Sequence, residues 1–134
     1  MKGTMLTISV NGTIKTTPLN APPALETLQE AVGGYIQPIP YLHSIERDGT
    51  VYQCVAFGDE EGKLKKKPVN EAANRIWDAA LKRSGHEDVR YRTGKMARTL
   101  DAMVRGEPPP IGDKDFLVGP IVIIYGDNDL MSEL

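Results

Sequence analysis

The chain has 134 residues, with 16 Lys and Arg against 18 Asp and Glu, for a net charge of -2. That length suits one domain, and 40% hydrophobic residues are enough for one core. The near-balance of charge argues against both a strongly basic chain that embraces nucleic acid with its whole surface and a strongly acidic nucleic-acid mimic.

Residues 4–10 alternate with a period of two, and Thr13 to Thr17 do so less cleanly. Asn11-Gly12 between them tolerates positive φ, so the chain is expected to open with a two-residue type I′ hairpin over 4–17. Pro22 and Pro23 suit a first helical turn, with Asn20 as an upstream cap, and Leu25, Leu28 and Val32 recur at helical spacing before Gly33-Gly34 ends the helix. Tyr35 to Tyr41 reads as a strand that Pro38 and Pro40 confine to an edge. Asp48-Gly49 is a second turn signal, Val51 to Phe57 the next strand, and Lys63-Leu64-Lys65 a short stretch that pairs back. Asn70 caps a second helix whose apolar face is Ala73, Ile76, Trp77, Ala80 and Leu81, ended by Gly85. Thr93 is expected to cap a third helix with a Met96, Leu100, Met103, Val104 stripe, terminated by Gly106. Phe116 to Tyr125 is the last strand, apolar on both faces at Ile121 to Ile124, and Asp127 to Leu134 an acidic, frayed tail.

The expected fold is therefore α+β: a small mixed or antiparallel sheet opened by a β-hairpin, with about three helices, in the manner in which β-grasp folds open. One domain spans 1–126, with a basic helical insertion at about 82–114, and residues 127–134 form the tail. Leu25, Leu28, Val32, Trp77, Ile121 and Ile123 are the expected core.

Catalytic and metal-binding patterns are missing. His43 and His86 stand in no zinc spacing, and Cys54, the only cysteine, can complete neither a structural zinc site nor an intrachain disulfide. Asp113-Lys114-Asp115 reads as a polar turn before the last strand and Asp127-Asn128-Asp129 as a solvated tail, rather than as magnesium ligands. Phosphate loop, dinucleotide fingerprint and nucleophile elbow are absent, so no cofactor and no catalytic residue is expected. No apolar run approaches the roughly 18–20 residues of a membrane span. The N-terminus lacks the apolar core of a signal peptide, so the reading is cytoplasmic, with no membrane partner.

Charge is unevenly distributed. Lys82, Arg83, Arg90, Arg92, Lys95, Arg98 and Arg105 crowd residues 81–105, whereas 107–134 is acidic. On a helical wheel Lys95, Arg98 and Arg105 fall on one side of the third helix, opposite its Met/Leu stripe. With Arg90 and Arg92 nearby, they are the expected partner-binding residues, because the arginine fork pairs bidentately with carboxylate or phosphate.

Residues Leu25 to Ile36, the blocks Asp59 to Lys65 and Pro68-Val69-Asn70, and Val118 to Ile123 together resemble a phage-associated family, domain of unknown function 3846. The resemblance implies a bacteriophage or mobile-element protein acting inside a bacterial cell, and supplies no activity. The expected function is a non-catalytic protein that binds and modulates a host protein, such as a defence system. The alternatives are a small-ligand or nucleotide binder, in which a homodimer could build the site, and a nucleic-acid-binding accessory protein.

Overall fold

A computed structural model describes residues 1–93, 104, 106 and 114–134. Among them the order is β1 (Gly3–Ile8), β2 (Ile14–Leu19), α1 (Leu25–Val32), β3 (Ile36–Pro38), β4 (Ser44–Arg47), β5 (Thr50–Asp59), α2 (Glu71–Ser84), β6 (Ile121–Gly126) and α3 (Asn128–Met131). The fold is α+β. One sheet runs β2-β1-β6-β5-β3, with β4 beside β5, and every pairing between these strands is antiparallel.

Alternation along β6 explains the layering. Ile121 and Ile123 face α2 and pack with Trp77, Ala80 and Leu81, whereas Val122 and Ile124 face α1 and pack with Leu28 and Val32. A strand apolar on both faces is thus a strand covered on both faces. The hairpin-then-helix opening is present, since α1 packs with Met5 of β1, but a second helix covers the opposite face. Leu28, Val32, Trp77, Ile121 and Ile123 are buried as expected. Leu25 is not: it begins α1 and is 52% exposed. The expected cap at Asn20 is also replaced, because Ala24 holds the N-cap position and no side chain caps the helix.

The turns differ in an instructive way. Asn11-Gly12 does not make a two-residue turn. The Ser9 N–H donates to the Thr13 carbonyl at 2.9 Å and the Gly12 N–H to the Ser9 carbonyl at 2.9 Å, which leaves a three-residue loop with Gly12 left-handed at φ 88. The tight two-residue turn is Asp48-Gly49, where φ is 50 and 81 and Arg47 faces Thr50. It joins β5 to β4, a strand the sequence pattern does not announce.

α2 begins at Asn70 as expected. Its side-chain oxygen accepts from the Ala73 N–H at 3.0 Å, and its amide donates to the Ile8 and Gly119 carbonyls, both at 2.9 Å. One fully buried residue caps the helix and ties it to the sheet. The Trp77 indole N–H donates to the Pro40 carbonyl at 2.8 Å.

Three further expectations change. Lys63-Leu64-Lys65 lies in a run of turns instead of pairing back. Thr93 is no N-cap: residues 89–93 are already helical, and its hydroxyl donates to the Val89 carbonyl at 3.1 Å. Val104 is 87% exposed, while Met96, Leu100 and Met103 lie outside the described residues. The 127–134 segment is no frayed tail either. Asp127 caps α3 through the Leu130 N–H and accepts from the Lys2 N–H, which holds its carboxyl below the usual range, and Leu130 is wholly buried in the α1 layer.

Candidate interaction surface

The residues expected to meet a partner separate into three groups. Arg90 is buried. Its guanidinium donates to Asp78 at 2.6 Å, to the Asp115 carbonyl at 2.8 Å and to Asn74 at 3.3 Å, and lies over the Trp77 ring at 5.4 Å. Arg90 is therefore a structural cation that joins α2 to the segment before β6, which corrects the expectation that it faces a partner. Arg92 is solvent-facing and pairs with Asp88 at 2.8 Å, one helical turn away. Lys95, Arg98 and Arg105 lie outside the described residues.

The lysine run after β5 is likewise engaged internally. The Asp59 side chain is 1% exposed and takes Lys65 at 2.8 Å, Lys67 at 2.6 Å and the Glu61 N–H at 2.9 Å. Lys67 also donates to the Val32 carbonyl at 2.7 Å, and Lys65 to the Gly33 carbonyl at 3.2 Å, placing both cations at the negative end of α1. Burial alone would raise the Asp59 carboxyl, but the hydrogen bonds from Lys65, Lys67 and Glu61 outweigh it and hold it at about 2. Gly33-Gly34 serves the same corner: a Cβ on Gly34 would stand 2.5 Å from both Asp59 Oδ1 and Lys65 Nζ.

Cys54 is buried, and burial pushes its thiol up to about 12 against a weak opposing pull from Arg83. Among the described residues no group of three or more His, Cys, Asp and Glu is placed to hold a metal ion, and no helix is long and apolar enough to cross a membrane.

A different cationic surface emerges on the α2 side of the sheet. Ala72, Arg75, Ile76, Ala79 and Arg83 form one stripe of α2, within roughly 100° on a helical wheel. Ile45, Glu46 and Arg47 of β4 and Ile14 of the hairpin complete a groove of ≈ 410 Å³ with them. The isoleucines and alanines supply apolar lining, and three arginines stand against one glutamate. Arg83 is held by Ser44, donating to its hydroxyl at 2.9 Å and to its carbonyl at 3.0 Å. Arg47 and Arg75 make no ion pair with any described residue. The helical half of this surface has a sequence signal, since Ala72, Arg75, Ala79 and Arg83 recur one turn apart beside the Trp77 face. The other half depends on β4, which has none.

A scan against family models finds no match, and neither curated proteins nor solved structures match the chain. Fold and site together define a small α+β protein with a cationic, apolar-lined groove.

Proposed function

We propose that this chain is a non-catalytic binding protein that seats an acidic, amphipathic segment of a partner protein in the groove between α2 and β4. The observation that carries the reading is the composition of the groove: Arg47, Arg75 and Arg83 around an apolar lining of Ile14, Ile45 and Ile76. Carboxylates of the partner pair with the arginine forks while its apolar side chains cover Ile14 and the half-buried Ile76, over a floor that includes the buried Ile45. The apolar lining favours a protein over a nucleic acid, whose phosphates need cations alone. The resemblance to a phage family of Leu25 to Ile36, of Asp59 to Lys65 with Pro68-Val69-Asn70, and of Val118 to Ile123, taken in that order, supports a host protein as the partner, inside the infected bacterium.

The test is capture from host lysate by the wild-type protein and by the double substitution Arg47→Glu, Arg75→Glu, with mass spectrometry and then affinity measurement on the purified partner. The wild type is expected to retain a protein that the double variant binds more than about tenfold more weakly, chiefly through slower association. Equal capture by the two, or retention of nucleic acid in place of protein, overturns the proposal.

A further inference from the structure

Residues 36–47 run along β5 as one strand with an interruption. Pro38 faces Phe57 and Ser44 faces Gln53, so the five residues 39–43 oppose only the three residues 54–56. The two surplus residues are thrown out as a bulge, and Tyr41 sits at its apex. Both ends of the bulge are fixed. The Ile39 N–H donates to the Ala56 carbonyl at 3.0 Å, the Cys54 N–H to the His43 carbonyl at 2.8 Å, and the side chains of Ile39 and Leu42 are buried. The Leu42 N–H reaches back to the Ile39 carbonyl at 3.4 Å, which closes a turn with Pro40 second and Tyr41 third. Tyr41 has φ 58, and a turn with proline second and positive φ third is of the type whose third position takes Gly or Asn.

A tyrosine therefore occupies a position that its own side chain disfavours, and the residue is 40% exposed. It stacks on His86 with centroids 4.3 Å apart and leans on His43 at 5.7 Å. It also walls a slot of ≈ 230 Å³ completed by Pro40, Val89, Arg92 and Thr93. Bulges re-aim side chains beside functional sites, and exposed tyrosine is a frequent anchor of interfaces. Tyr41 stacks on His86, two residues beyond the end of α2, while Arg83, the last groove residue on α2, is held by Ser44, which directly follows His43; the slot and the groove share no lining residue but meet the same end of the helix.

We infer that Tyr41 and its slot form the anchor site of the docking surface, taking one apolar or aromatic side chain of the acidic segment whose carboxylates meet Arg47, Arg75 and Arg83. The inference rests on the groove reading for its partner and adds the residue that fixes the segment's register.

Two fluorescein-labelled peptides test it by anisotropy, one of alternating Glu and Leu ending in Phe and a twin ending in Ser. The wild type is expected to bind the Phe peptide about tenfold more tightly than its twin. Tyr41→Asn, which suits left-handed backbone, abolishes that preference without lowering the melting temperature, and Tyr41→Phe keeps it. Arg47→Glu with Arg75→Glu weakens both peptides alike. Equal binding of the two peptides by the wild type, or a preference that survives Tyr41→Asn, overturns the anchor while leaving the groove reading intact. A lowered melting temperature for Tyr41→Asn overturns it as well, since the ring is then a brace. Loss of the arginine dependence alone overturns the groove, and absence of any binding overturns both.

Discussion

Two clusters of basic residues, the Asp59 corner and the α2 groove, use their charge in opposite ways. At the corner, Lys65 and Lys67 converge on a carboxylate sealed from solvent and on the last carbonyls of α1, so their donors point inward. In the groove, Arg47, Arg75 and Arg83 have no ionic partner among the described residues, and Arg83 is steadied by a neutral serine. A run of lysines in sequence is therefore no measure of basic surface. What matters is whether the fold brings a buried acid within reach.

The contrast breaks first at the corner. Asp59→Ala leaves two cations packed around an emptied site, and is expected to destabilise the protein by about 2–4 kcal/mol in urea unfolding, less than a fully buried pair because Lys65 is 40% exposed. Arg90→Ala, which takes the donor from the Asp115 carbonyl and leaves the Asn74 side-chain oxygen with the Leu117 N–H alone, is expected to cost about 2–3 kcal/mol by the same measurement. A loss under about 0.5 kcal/mol in either case would return that residue to the surface class. Gly34→Ala forces Asp59 and Lys65 apart and is expected to cost about 1–3 kcal/mol, read as a fall in melting temperature.

The corner also sets a pH dependence. The Asp59 carboxyl lies at about 2 when folded, below its ordinary 3.8, so its contribution is whole above that ordinary value and is lost as pH falls toward about 2. Melting curves between those limits are expected to slope less steeply for Asp59→Asn than for the wild type; parallel slopes would assign the acid sensitivity elsewhere. The smallest effect belongs to the groove: Arg75→Ala is expected to change stability by no more than about 0.5 kcal/mol by thermal denaturation, because an exposed cation with no ion-pair partner among the described residues holds nothing in place.

Much of the fold was legible because it depends on local rules. The Asn70 cap, the Gly85 stop at φ 73 and the double-faced β6 each follow from a few adjacent residues. The misreadings share a cause, which is that tertiary pairing outranks a local signal. Asn11-Gly12 carries the stronger hairpin signature, yet Asp48-Gly49 makes the tight turn, because Arg47 and Thr50 are brought into register by β4 and β5. Arg90 looked solvated because Asn74, Asp78 and Asp115 lie 12 to 25 positions away in sequence. The acidic end looked loose because Leu130 shows its burial only against Met5 and Ile124. The groove's second wall could not be seen without β4, and Lys95, Arg98 and Arg105, the whole basic stripe read from the sequence, lie outside the described residues.

The hydrogen bond from Trp77 to Pro40 gives the molecule a built-in optical reporter. Trp77 is the only indole in the chain, it is fully shielded, and its N–H grips the carbonyl of the residue just before Tyr41. Its emission is expected to lie at the blue end for a tryptophan, and to shift when the turn at 39–42 is pulled or pressed. Occupation of the Tyr41 slot can thus be followed by native fluorescence, with no label on either molecule, and the same signal moving to the red marks loss of the core itself.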